Sequence, residues 1–197
     1  MFIPVSEQLV LRTYMAADAP ALFECVRQNR AHLRTFLPWV DTTTRPEHSM
    51  NFIQYTNMQE ATQQGLAMAI FKEEQLIGGI GMHDWHHELK KAQLGYWLIA
   101  QEEGKGQMQQ CARAFIQFLF DKLGLNKIEI CFLPYNTRSG ALAKALGATV
   151  EGMLRHHILI NGSYEDLVLT GILKREWSSN ITARQTDDTI IHSGHSA

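Results

Sequence analysis

Gln101-Glu102-Glu103-Gly104-Lys105-Gly106 is the stretch from which the chain is best read. An apolar run, Leu94–Ile99, leads into it, and a segment with helical periodicity, Gln107–Lys122, follows it. A strand thus feeds a glycine loop, and the loop feeds a helix. The start of a helix has main-chain N–H groups without intrahelical partners and the positive end of the helix dipole, so this junction suits an anion such as a phosphate. Glycine removes the Cβ that would keep such a ligand away from the backbone.

Two other phosphate loops are excluded by spacing. The G-x-x-x-x-G-K-[ST] pattern has no match in the chain. Gly104-Lys105-Gly106 runs on into Gln107, Met108 and Gln109, so a G-x-G-x-x-G dinucleotide fingerprint fails at its third glycine. What remains is Q-x-x-G-x-G between a strand and a helix.

Moving toward the C-terminus, Met108, Cys111, Ala112, Phe115, Leu119 and Leu123 form one apolar stripe at three- and four-residue spacing, and Gly124 stops the helix. Lys127–Phe132 reads as a strand, Pro134-Tyr135-Asn136 as a turn, and Thr137–Leu146 as a helix ended by Gly147. Asn161-Gly162 is a strong hairpin signal between strands at Thr149–Ile160 and Tyr164–Leu173. Beyond Trp177 the pattern fails, so residues 1–177 form a single domain and Ser178–Ala197 a flexible tail. Toward the N-terminus, Leu66–Lys72 and Gln75–Met82 form a hairpin about Glu73-Glu74, with His83–Lys91 a polar connection. Thr44-Arg45-Pro46-Glu47 has the form of a capping box opening a helix to Gln63, which Gly65 ends. Leu9–Thr13 is a first strand, Asp18 caps a helix over Ala19–Asn29, and Ala31–Val40 is a short helix and loop. The order implies a mixed, largely antiparallel sheet with one parallel crossover around the Gln107–Lys122 helix.

The chain has 197 residues, enough for one sizeable domain, and a formal net charge of -2 without a basic block, which argues against direct nucleic-acid binding. Cys25, Cys111 and Cys131 are odd in number and far apart, as expected in a reducing cytosol. No run is long enough to span a membrane, and Met1-Phe2-Ile3-Pro4-Val5 is no signal peptide, so a cytoplasmic protein is expected.

The loop resembles the pyrophosphate loop of the GNAT N-acetyltransferase superfamily, R/Q-x-x-G-x-G/A, over a likeness that covers roughly residues 8–177. Leu9-Val10-Leu11-Arg12, Asn29-Arg30-Ala31-His32-Leu33, Leu37-Pro38-Trp39-Val40, Gly95-Tyr96-Trp97-Leu98, Asn136-Thr137-Arg138-Ser139, Glu151-Gly152 and Lys174-Arg175-Glu176-Trp177 are similar to its ribosomal-protein-serine and -alanine N-acetyltransferase branch. The resemblance implies an α/β (α+β) fold, a mixed, largely antiparallel central sheet with helices on both faces. It implies acetyl-CoA as cosubstrate, no metal, and an amine acceptor such as the N-terminus of a ribosomal protein, with a homodimer compatible. It further implies that backbone N–H groups of Trp97, Leu98 and Ile99 hold the thioester and pantetheine. Gln101, Gly104, Lys105, Gly106 and Gln107 would cradle the pyrophosphate, with Lys105 either a cationic contact or a solvated lysine. Asn136 would contact the cofactor arm, and Ser139 would lie near the sulfur as proton donor to the thiolate.

Other members place a Tyr about seven residues after that Asn; here the neighbourhood is Leu142-Ala143-Lys144. Some place a Glu shortly before the Asn-Gly hairpin, where this chain has Ile158. The base is therefore open among Glu129, His83, Asp84, His86, His87 and a water, since an α-amine with pKa near 8 needs little help. Asn136 and Ser139 are equally fit simply to cap the helix. H-x-x-H-H at His83, His86 and His87, and the pair His156 and His157, are weak as metal patterns and ordinary as surface histidines. Phe36 and Trp39 can wall an acceptor slot or lie in the core. Two other functions fit the same residues: acetylation of a polyamine or aminoglycoside, and a non-catalytic acyl-CoA sensor.

Overall fold

The computed structural model describes residues 1–177. The expected tail, Ser178–Ala197, lies outside the described residues. Eight strands form one sheet in the order β1-β2-β3-β4-β5-β6-β8-β7: β1 Phe2–Pro4, β2 Leu9–Thr13, β3 Leu66–Lys72, β4 Gln75–His86, β5 Lys91–Leu98, β6 Lys127–Phe132, β7 Thr149–Ile160 and β8 Ser163–Leu173. Neighbouring strands pair antiparallel except β5 and β6, which are parallel. Helix α4, Gln107–Asp121, makes that crossover.

Helices cover both faces. On one face α4 and α5 (Thr137–Ala145) bury Cys111, Phe115, Leu119 and Ala143 against Leu66, Met68, Ile70, Ile128 and Ile130. On the other, α1 (Ala19–Gln28), α2 (Arg30–Leu33) and α3 (Pro46–Ala61) bury Leu22, Val26, Leu33 and Ile53 with Tyr14 and Ala69. This explains why β3 is apolar without alternation. Leu66, Met68 and Ile70 serve the first core, while Ala67, Ala69 and Phe71 serve the second.

Several sequence expectations are corrected. Strand β1 was not expected, and it is only three residues long. Asp18 does not cap α1: its carboxylate accepts two bonds from Arg12 at 2.7 Å and one from the Met15 N–H at 2.7 Å. The Thr44 box does not form either. Arg45 is the extended N-cap and Pro46 opens α3, because Pro fits the first helical position and forces its predecessor out of the helix. The connection expected at His83–Lys91 is mostly strand: β4 runs to His86 through a bulge, and β5 begins at Lys91. Asn161 and Gly162, both with positive φ, make the expected two-residue turn between β7 and β8.

Strand β4 carries Gly78, Gly79 and Gly81 because its neighbours lie too close for side chains, β5 at Gly78 and Gly79 and β3 at Gly81. A Cβ on Gly79 would sit 2.6 Å from the Trp97 Nε1 and 2.6 Å from the Tyr14 hydroxyl. Gly79→Val should therefore displace both rings and cost about 1–3 kcal/mol, the usual range for overpacking, measured as a lower urea midpoint. An unchanged midpoint would show that Trp97 is not packed against β4.

Candidate active site

Strands β5 and β6 part company. Their register ends after Lys91↔Lys127, Ala92↔Ile128 and Gln93↔Glu129, although both strands continue. Beyond Gln93, β5 is paired with β4 alone, and β6 follows β8 to Phe132↔Val168. A wedge thus opens in the middle of the sheet, with the glycine loop and the start of α4 at its β5 rim and the start of α5 at its β6 rim.

The main-chain groups facing the wedge differ in part from those expected. In a strand, alternate residues direct N–H and C=O to opposite neighbours. The Ile99 N–H donates to the Ile77 carbonyl at 2.9 Å, and a Cβ on Gly78 would meet the Trp97 carbonyl oxygen at 2.3 Å. Trp97 and Ile99 therefore direct their backbone toward β4. Leu98 keeps the expected orientation, and Tyr96 joins it, so their N–H groups point to the side where β6 has withdrawn.

At the β5 rim, Gly104 and Gly106 have φ of +73° and +75° with open space where a Cβ would stand. Gly106 is the N-cap of α4, and no side chain caps it. Among the described residues the first-turn N–H groups thus have no side-chain cap and suit a ligand. The amide oxygen Oε1 of Gln107 is buried without a partner among the described residues. An orphaned acceptor and open N–H groups in one turn fit an incoming polar ligand. Gln101 is exposed in the 3-10 turn Ala100–Glu102. Lys105 turns its ammonium to Glu102 at 3.1 Å, and Lys72 reaches the same carboxylate at 3.2 Å. Burial opposes the charge on Glu102, but bonds from Lys105, Gln107 and Lys72 hold its carboxyl below the usual range. Glu103 pairs with His32 at 3.3 Å and with Arg138 at the start of α5. The Ala100 N–H donates to Asn29 Oδ1 at 3.2 Å. Asn29 and His32 thus fix the loop from α1 and α2, a positioning role not read from their sequence.

At the β6 rim, Asn136 caps α5: its Oδ1 accepts the Ser139 N–H at 3.1 Å. Ser139 does not cap. Its hydroxyl lies 2.7 Å from the Tyr96 hydroxyl, so the pair spans the wedge. Sequence reasoning missed Tyr96, 43 residues away on another element. Phe36 meets Tyr135 at 6.2 Å between ring centres and Trp39 meets Trp97 at 6.1 Å, so both expected wall residues belong to half-open aromatic pairs near the wedge strands.

The base candidates separate. Glu129 stands at the closed end of the wedge, and its carboxylate accepts from Lys91 at 3.0 and 3.1 Å and from Lys127 at 2.9 Å. Burial opposes its ionisation, but the two lysines outweigh burial and keep its carboxyl below the usual range. His83 Nδ1 pairs with Asp84 at 3.0 Å, and its Nε2 lies over Gly95 on β5. His86 accepts the Leu89 N–H, and His87 bonds the Gln63 carbonyl and stacks on Trp85 at 4.5 Å, so both serve the β4–β5 turn. Glu165 is the cross-strand partner of Ile158, so that face bears a carboxylate from β8 instead of β7.

The sequence model of the acetyltransferase (GNAT) domain matches residues 8–149. The chain belongs to the GNAT family. It is an N-acetyltransferase. Among its relatives, the "Putative ribosomal N-acetyltransferase YdaF" of Bacillus subtilis (strain 168) is 30% identical over 88% of this chain and 95% of its own length. The ribosomal-protein-serine acetyltransferase of Escherichia coli (strain K12) is 28% identical over 85% of this chain and 93% of its own. Among solved structures, RimL, a ribosomal L7/L12 alpha-N-protein acetyltransferase in complex with coenzyme A, superposes with a TM-score of 0.86 at 26% identity, covering 89% of this chain and 99% of that one.

Glu129→Gln would leave Lys91 and Lys127 facing a neutral amide and should cost about 1–2 kcal/mol at pH 7. Because the folded carboxyl is held low, this contribution is complete above the unfolded value of about 4.3 and is lost as pH falls through the folded pKa. The gap between the two proteins in urea should thus be constant from pH 7 to pH 5.5 and shrink below pH 4. A gap independent of pH would show that the carboxylate charge is not what the lysines bind.

Proposed function

We propose that this N-acetyltransferase moves the acetyl group of acetyl-CoA to a primary amine, the α-amine at the N-terminus of a ribosomal protein. The observation that carries the acyl-transfer chemistry is the wedge, flanked by the bare start of α4 at one rim and Ser139 at the other. The α-amine acceptor is supported by likeness to the ribosomal-protein-serine acetyltransferase and to RimL over nearly the whole of each chain.

The pyrophosphate of acetyl-CoA fits the N–H groups of Gly104, Lys105, Gly106 and Gln107, where both the dipole of α4 and the open N–H groups favour an anion. Lys105 contributes through its backbone, since its ammonium is engaged with Glu102. The N–H groups of Leu98 and Tyr96 hold the pantetheine arm and polarise the thioester carbonyl, a role worth a few kcal/mol for each well-placed donor. Ser139 protonates the departing thiolate. Asn136 fixes the first turn of α5 and thereby the place of Ser139. Glu129 anchors the closed end of the wedge, because a carboxylate held between two ammonium groups is a weak base. The surplus proton of the α-amine leaves to water, which its low pKa permits.

Acetyl-CoA at 100 times its Kd should add about 2.7 kcal/mol of stability, and Gly106→Val, forced to a φ of +75° that a branched residue resists, should remove that gain. A melting temperature indifferent to acetyl-CoA in the parent chain would overturn the loop's role.

Thiol release from acetyl-CoA, followed across N-terminal peptides of ribosomal proteins, polyamines and aminoglycosides, identifies the acceptor; turnover confined to a small amine would overturn the α-amine assignment, and no turnover would favour a sensor. In the same assay Ser139→Ala should lower kcat about 10- to 100-fold with acetyl-CoA affinity retained. His83→Ala and Glu165→Gln should each stay within about threefold of the parent, since water takes the proton; a larger loss in either names a protein base.

A further inference from the structure

Tyr96 is a buried-side phenol that the chemistry above leaves without a task. It stands on β5 three residues past the last pair with β6, Gln93↔Glu129, and so in the open part of the wedge. Its hydroxyl meets that of Ser139 at 2.7 Å, and Ser139 is itself buried. The contact joins β5 directly to the first turn of α5, across the space that separates the two strands.

We infer that Tyr96 is a positioning residue for acetyl transfer: its hydroxyl donates to Ser139 Oγ, which leaves the Ser139 proton free to point at the departing sulfur. This rests on the role given above to Ser139. A serine hydroxyl rotates freely and is a weak acid. In isolation its proton can turn to any nearby acceptor. With a donor fixed on its oxygen, its own O–H is turned away from Tyr96, and its acidity rises because the oxygen is already polarised. Burial pushes the Tyr96 hydroxyl pKa up, against a smaller opposing pull from the Ser139 bond, so the phenol stays protonated and able to donate. The backbone adds precision at both ends. Asn136 Oδ1 holds the Ser139 N–H at 3.1 Å, and β4 holds β5 on either side of Tyr96 through Gly79↔Trp97 and Gly81↔Gly95.

The step balances as follows. The neutral amine nitrogen forms its bond to the thioester carbonyl carbon, and the C–S bond breaks with its electron pair going to sulfur. Sulfur takes the Ser139 hydroxyl proton, Ser139 recovers one from Tyr96, and Tyr96 recovers one from water. The nitrogen's surplus proton leaves to water. No oxidant, metal or further reactant enters. The arrangement supplies a phenol for the leaving group even though the α5 segment Leu142-Ala143-Lys144 carries no tyrosine.

The test is a double-mutant cycle on kcat with Tyr96→Phe, Ser139→Ala and the two together, with acetyl-CoA Kd and melting temperature measured for each. Tyr96→Phe removes one hydroxyl and keeps the ring. It should lower kcat about 10-fold, leave Kd within about twofold, and cost nothing further when Ser139 is already alanine. A normal kcat in Tyr96→Phe with a slow Ser139→Ala would overturn the inference and leave the Ser139 role standing. Equal losses in both Ser139 backgrounds would overturn it too, since Tyr96 would then act independently. A normal Ser139→Ala would remove the role on which it rests. If Tyr96→Phe lowers the melting temperature, Tyr96→Met serves as a second variant without a donor, and a kcat equal to the parent's there overturns the inference.

Discussion

Three residue pairs hold β5 to β6, and the rest of the molecule depends on that small number. A parallel pair that continued for the full length of both strands would give an unbroken sheet with nowhere to seat an extended ligand. Glu129, bound by Lys91 and Lys127, fastens the closed end. Beyond it, β4 claims one strand and β8 the other, so each side of the opening keeps a satisfied edge and exposes a second row of N–H and C=O groups inward. Unpaired backbone inside a sheet is costly unless something polar fills it. The opening is stable because solvent or ligand can reach it.

Electrostatics around the glycine loop follow from the same geometry. The loop carries two carboxylates, Glu102 and Glu103, beside the place where an anion is favoured by α4. Left unpaired, they would oppose a phosphate. Lys72 and Lys105 engage the first, and His32 and Arg138 the second. These partners come from β3, α2, the loop itself and α5, so the pairs engage both carboxylates and also lash four elements together around the loop. Pairs whose cations reach solvent add little stability singly. Their value lies in geometry: the loop is held from both sides of the wedge.

Much of the fold was legible from short-range pattern. Leu9–Thr13, Leu66–Lys72, Lys127–Phe132 and Thr149–Ile160 stand as read, because a buried strand needs apolar residues and a two-residue turn needs Asn-Gly. Helix starts were less legible. Asp18 and Thr44 are good capping types, yet Arg12 took the first and Pro46 displaced the second. The site was half legible. Gly104, Gly106 and Asn136 are local signals, and each is where its neighbours in sequence require. Which N–H groups face the wedge depends on strand alternation against β4, so Ile99 and Trp97 could not be separated from Leu98 by inspection. The Tyr96–Ser139 contact and the lysine clamp on Glu129 join residues distant in the chain, and no periodicity encodes them.

The two outer strands of the sheet are managed differently. At one margin β1 has three residues and ends in Pro4, which offers almost no template for another chain. At the other, β7 is twelve residues long and exposes Val150, Met153 and Leu159. A flat strand of that composition would invite edge-to-edge aggregation. Instead its register slips between Val150 and Gly152 and again between Leu154 and Ile158, where His156 adopts a φ of 50° and gives its N–H to Asp166. Each bulge bends and twists the strand, so no straight run of free hydrogen-bonding groups spans it. The apolar border is therefore too crooked to serve as a template for a second copy of itself.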